Sequence, residues 1–163
     1  CLAWALTDGK RVLHRGWKRF PAKTRTFVKV RQFFDEAILP ILPKPLDSVV
    51  VAIEQPDVHQ VSRHGSNEAV EQCVGAVAMW CATYDFEPAL IRVNTWRAHY
   101  KRIAGGAKTR EQWLAAAPRI ARAVLPGCLD GVSDAAVADV AMASLIALFH
   151  LDSQKSVALP SGS

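Results

Sequence analysis

Ser48-Val49-Val50-Val51-Ala52-Ile53-Glu54-Gln55-Pro56 is the stretch on which the reading of the fold turns. Five apolar residues, Val49 to Ile53, stop abruptly on the carboxylate of Glu54. Leu46-Asp47 bounds the run on one side and Pro56 on the other. A short, β-branched run between such breakers predicts a strand buried on both faces, in the middle of a largely parallel sheet. An acid at the carboxyl end of such a strand sits where open α/β sheets place their ligands. Taken alone, the pattern fits equally a solvent-facing Glu that merely ends its strand.

Working outward, Cys1–Thr7 reads as a strand, Asp8-Gly9 as a two-residue hairpin signal, and Lys10–Phe20 as the return. From about Lys23 to Leu39, Phe27, Val30, Phe34 and Ile38 keep helical spacing, and Pro40–Pro45 breaks that helix. Beyond Glu54, a polar loop reaches Ser66, where Ser66 or Asn67 caps a helix running to about Tyr84. Ala89–Val93 is a further short strand. Thr109–Val124, with Pro118 as a kink point, and Asp134–His150 are further helices, followed by a polar tail over 151–163. An initial meander followed by alternating strands and helices implies a mixed sheet covered on both faces, in a single domain over 1–150.

The chain of 163 residues can bury a proper core, and 50% hydrophobic with 21% charged residues marks it as globular. No apolar run reaches the roughly 18 residues of a membrane span, and no signal peptide is evident. The four cysteines lack metal-ligand spacing and read as structural thiols of a reducing cytoplasm. The formal charge is +5, and its distribution carries more than its size. Lys10 to Phe34 holds nine Lys or Arg and no acid; Pro88 to Arg110 holds six and no acid. Such segregation suits a polyanion, nucleic acid above all, although two solvated basic faces would read the same way.

A second acid stands out in the last helix. Between Ala135 and Phe149, Asp139 is the only charged residue. A helix apolar almost all round is expected to be buried, and a lone buried carboxylate costs several kcal/mol unless paired or metal-bound. The alternative places Asp139 toward solvent on a narrow polar strip with Ser144. Asp134, five residues earlier, lies about 140° away around a helix. It joins Asp139 only from an irregular first turn, and otherwise compensates the helix dipole beside a Ser133 cap. A Glu at a strand end and an Asp on a helix suit hard divalent cations, and Mg²⁺ commonly takes one or two carboxylates plus phosphate oxygens. Two such ions can clamp the attacking and leaving oxygens of a phosphodiester.

These residues resemble a known family. Glu54 in VAIEQP and Asp139 in SDAAVADVAMASLIAL are similar to the second and last carboxylate motifs of RuvC-type Holliday junction resolvases, members of the RNase H-like superfamily. The likeness runs through nearly the whole chain in element order. It implies an RNase H-like α/β fold with one mixed central β-sheet, Glu54's strand near its middle and helices on both faces. It implies Mg²⁺-dependent (or Mn²⁺-dependent) cleavage of branched DNA by two metal ions, leaving a 5′-phosphate and a 3′-hydroxyl. Glu54, Asp139 and Asp134 would be the metal ligands, and Lys108 in GGAKTRE would stabilise the phosphate. Further contacts to DNA would come from Arg97, Lys101, Arg102 and Arg110, and from Arg63 and His64 in the loop after Glu54, where His59 also lies. The partners implied are a four-way junction and a second copy of the chain, the helix from Asn67 to Tyr84 being the expected dimer contact. A cytoplasmic protein of a bacterium or an infecting phage is implied, with no membrane partner.

The chain departs from the pattern twice. The family's first carboxylate would fall about five residues before Cys1, so we expect chain upstream of it; Asp8 occupies the hairpin turn and does not match. Where a second acid is common three residues before Asp139, position 136 is Ala. Two rivals therefore stand beside the resolvase: another RNase H-like nuclease of RNA processing or transposition, and a DNA-binding module without catalysis. The five tryptophans read mostly as core, with Trp96 a candidate for stacking on an unpaired base.

Overall fold

The computed structural model describes residues 2–20, 26–55 and 66–157. In chain order these form β1 (Leu2–Thr7), β2 (Val12–Lys18), α1 (Thr26–Phe33), β3 (Ala52–Gln55), α2 (Ser66–Thr83), β4 (Ala89–Arg92), α3 (Val93–Tyr100), α4 (Arg110–Val124) and α5 (Val137–Val157). The alternation of strands and helices after a first hairpin is the α/β order expected. The chain divides into two compact units, one of Leu2 and Lys18–Val93, the other of Ala3–Trp17 and the residues from Asn94 on.

The first unit is built on α1 and α2. Val30, Phe34 and Ile38 are buried, as their spacing requires; α1 packs on α2, where Ala76, Val77, Trp80 and Cys81 are buried, and the Phe34 ring lies 4.9 Å from that of Trp80. Phe27, fourth member of that stripe, is 44% exposed. Its ring lies at the α2 backbone, where a Cβ on Gly75 would stand 3.4 Å from it. Past Phe33 the helix widens into a π-turn over Phe34–Ile38. Asp35 on that turn accepts hydrogen bonds from Trp80 Nε1 (2.8 Å) and Tyr84 Oη (2.9 Å), with Arg31 Nε 3.7 Å away. The bond to Asp35 holds the Tyr84 hydroxyl above its usual pKa. Burial pushes the Cys81 thiol up to about 11, so it stays a neutral core group.

β3 and β4 pair in parallel, with Glu54 opposite Ile91. The strand itself differs from expectation. Pairing starts at Ala52 rather than Val49, Val50 is 55% exposed, and every residue of β3 is half-buried. A run of β-branched residues favours extended backbone, but hydrogen-bonding partners decide where a strand begins.

The second unit joins the β1–β2 hairpin to α3, α4 and α5. The hairpin turns over four residues, Asp8–Arg11, rather than two. Asp8 Oδ1 accepts from the backbone N–H of Arg11 and Lys10, both at 2.9 Å, and these bonds hold its carboxyl below the usual carboxylate range. A side-chain-closed turn of this kind competes with the tight Asp-Gly form. Gly16 on β2 is required by its neighbour, since a Cβ there would lie 2.7 Å from the Trp4 indole. Gly16→Ala is therefore expected to cost roughly 1–3 kcal/mol in a urea titration.

Helix α4 opens on a reciprocal capping box between Thr109 and Gln112 and carries Pro118 without ending. It packs on α5 through Ala117, Ile120, Ala121, Ala141 and Leu145, all fully buried. Trp96 and Trp113 meet edge to face at 5.3 Å, and Tyr100 Oη donates to the Leu145 carbonyl at 3.3 Å.

Three expectations are corrected. The described residues hold two separate two-stranded sheets, β1–β2 and β3–β4, and not one mixed central sheet. Periodicity marks strands but does not encode which distant edges pair. The last helix spans Val137–Val157, so residues 151–157 belong to it and not to a polar tail. The segment Val93–Tyr100, read only as a basic connection, is helical, because Trp96 and Tyr100 at i and i+4 anchor it in the core.

Candidate active site

Asp139 stands in the first turn of α5, half-buried rather than buried. Its Oδ2 accepts a hydrogen bond from Trp17 Nε1 at 3.3 Å. As one of five tryptophans, Trp17 is expected from the sequence to serve as core. The indole instead supplies both packing and a donor, 122 residues away in sequence. The polar strip shared with Ser144 does not form, because Ser144 is fully buried and donates to the Val140 carbonyl at 2.9 Å.

Asp134 is exposed and lies in the turn before α5, which starts three residues later than the sequence implied. The Ala136 N–H closes that turn on the Ser133 carbonyl at 2.9 Å. The irregular lead-in on which a role for Asp134 depends is thus present.

Glu54 belongs to the first unit. It is the next-to-last residue of β3, half-buried, followed by Gln55 opposite Arg92. His59, Arg63 and His64 lie outside the described residues.

The basic candidates of the second unit fall into two kinds. Lys101, Arg102, Lys108 and Arg110 are exposed, on and around the connection from α3 to α4. The Lys108 N–H donates to Gln112 Oε1 at 2.7 Å, which fixes its backbone beside the α4 capping box. Thr109-x-x-Gln112 is a readable capping signature that the sequence reading passed over. Gly105 and Gly106, just before Lys108, take φ of 67° and 78°, a backbone region that favours glycine. Arg97 differs: it is half-buried, its guanidinium 5.5 Å from the Trp96 ring and 5.7 Å from the Trp113 ring. Trp96 itself is fully buried, so it is corrected from base-stacking candidate to core residue.

Among the described residues, no three His, Cys, Asp or Glu side chains are grouped so as to hold a metal ion. Mg²⁺ needs no such cage, since it is commonly held by one or two carboxylates with water and substrate phosphates. A half-buried carboxylate such as that of Asp139 fits that kind of ligation.

No protein-family model matches this sequence, and no curated protein matches it. Solved structures do. The chain is similar to the Thermus thermophilus RuvC structure, with a TM-score of 0.52 at 17% identity over 93% of this chain and 87% of that one. It is similar also to Thermus thermophilus RuvC in complex with Holliday junction substrate, with a TM-score of 0.50 at 18% identity over 93% and 86%. The chain shares the fold of these structures. At such identity the likeness speaks for the fold alone. No helix among the described residues is long and apolar enough to cross a membrane.

Proposed function

We propose that this protein is a metal-dependent endonuclease of branched DNA, acting on four-way junctions. The observation that carries the reading is Asp139, the only charged residue between Ala135 and Phe149, whose carboxylate accepts a hydrogen bond from the Trp17 indole. Support comes from the RNase H-like fold and from the RuvC structure bound to a Holliday junction substrate, which has this fold. Glu54 and Asp139, with Asp134, would hold Mg²⁺ or Mn²⁺, two ions when substrate is bound. The metal would polarise the phosphate and supply a water nucleophile at neutral pH. Lys108 offsets charge at the scissile phosphate. Lys101, Arg102 and Arg110 hold the backbone nearby, with Arg63 and His64 as further contacts. Two symmetric strands call for a two-fold dimer, for which the α2 face is the proposed contact.

The deciding experiment offers four-way junction, linear duplex and RNA to the protein with Mg²⁺. Cutting confined to the junction supports the reading; equal cutting of all three points to a general RNase H-like nuclease. A second reading rests on Ala136, which stands where the resemblance calls for an acid. It is a junction-binding module without catalysis, and tight binding with no cutting in Mg²⁺ or Mn²⁺ would establish it.

The exposed cations yield a separate expectation. Lys101→Glu and Lys108→Glu each weaken junction binding at every sequence and lower the salt dependence of log K by about one unit. Fluorescence anisotropy between 50 and 200 mM salt measures both.

A further inference from the structure

Side chains on β2 alternate between two faces. Gly16 lies under the Trp4 indole, so the Trp4 side chain covers that face. Arg15 and Trp17, two residues apart, share the other face and reach the segment leading into α5. The Arg15 guanidinium donates to the Asp130 carbonyl, and Trp17 Nε1 donates to Asp139. Between β2 and that segment lies an open cleft of about 530 Å³, lined by Leu13, Trp17, Val132 and Val140 and by the polar His14, Arg15, Asp130 and Ser133. The volume falls within the range of small-molecule sites. An indole beside Leu13 and Val140 takes a flat ring, and a guanidinium carries five N–H donors, so one bond to a carbonyl leaves it able to bind an anion. A nucleotide joins a flat ring to an anion in this way.

We propose that this cleft receives one nucleotide of an unpaired strand, its base against Trp17 and its phosphate at Arg15. Trp17 would then link occupancy of the cleft to the orientation of Asp139, because one indole serves both. The proposal rests on the DNA-cleavage reading for its choice of ligand. It adds a subsite that the carboxylates and the Lys108 surface do not supply.

The test uses the whole chain in EDTA, so that no metal is involved, with fluorescein-labelled hexathymidylate as the probe. Trp17→Ala and Arg15→Gln should each raise its Kd about 5- to 50-fold, the range of one lost base stack or one lost charged contact. An abasic hexamer should bind the wild type weakly, and Trp17→Ala should weaken it no further. Circular dichroism confirms folding; where Trp17→Ala unfolds, quenching of indole fluorescence by the oligonucleotide in wild type, lost in Arg15→Gln, carries the same reading. Unchanged hexamer binding in both variants overturns the subsite. A wild type that cuts junctions but does not bind the hexamer also overturns it and leaves the nuclease standing. Trp17-dependent hexamer binding without any junction cutting supports the subsite and defeats the nuclease.

Discussion

Asp139→Asn is expected to abolish junction cleavage while leaving junction binding near the wild-type level. The substitution keeps the side chain's shape and an acceptor for Trp17 Nε1, so the tie between β2 and α5 survives. It removes the negative charge that would draw a hard cation to the first turn of α5. Loss of one such group at a reacting phosphate reduces turnover by about 100-fold or more. Glu54→Gln should do the same from the first unit. Rates of strand scission, set beside anisotropy in EDTA, separate chemistry from binding. Full Mg²⁺-dependent activity in either variant would falsify the assignment of that carboxylate.

The second large effect concerns stability. Asp35→Ala should destabilise the protein by about 2–4 kcal/mol, since it withdraws the acceptor of two hydrogen bonds at once. Trp80 is 1% exposed, so its N–H would be left buried with no water to replace the carboxylate. Tyr84 Oη loses the same partner but lies nearer solvent. Asp35→Asn retains a side-chain oxygen and should cost about 1 kcal/mol. Urea melts of the two variants, compared with wild type, give the difference directly. Equal stability of Asp35→Ala and wild type would mean that the Trp80–Tyr84–Asp35 cluster decorates the fold without holding it.

Much of the helical part was legible in the residues. The stripe Val30, Phe34 and Ile38 is buried as its spacing implies, and α2 and α4 end within a residue of their expected limits. Helices are written locally, in a period that a short window reveals. Ala89–Arg92 was likewise found at its expected place. The Asp8-Gly9 turn was placed correctly and its length was not, because the Asp8 carboxylate closes a wider loop than the dipeptide alone implies.

The candidate site was legible in part. Asp139 stood out because charge is rare on an apolar helix. Its partner did not, since nothing local to Trp17 says that its N–H finds a carboxylate 122 residues on. Leu13, Arg15 and Trp17 do alternate along β2, and that pattern marks a shared face. It does not say which element the face meets. Arg97 shows the converse. Its charge counted toward a basic segment, yet its guanidinium lies over two indoles brought together by α3 and α4.

The sequence by itself determined the order of strands and helices, the apolar character of α5, and the segregation of basic charge, all consequences of local composition and period. Only the tertiary structure decided where β3 begins, that the strands form two small sheets, and that Asp139 is held by Trp17. Those depend on hydrogen bonds between distant segments, whose partners are chosen by the packing of the whole unit and not by the neighbours of either residue. Glu54, the acid that ends the run opened at Ser48, is thus a strand residue opposite Ile91, and its placement follows from β4 as much as from its own stretch.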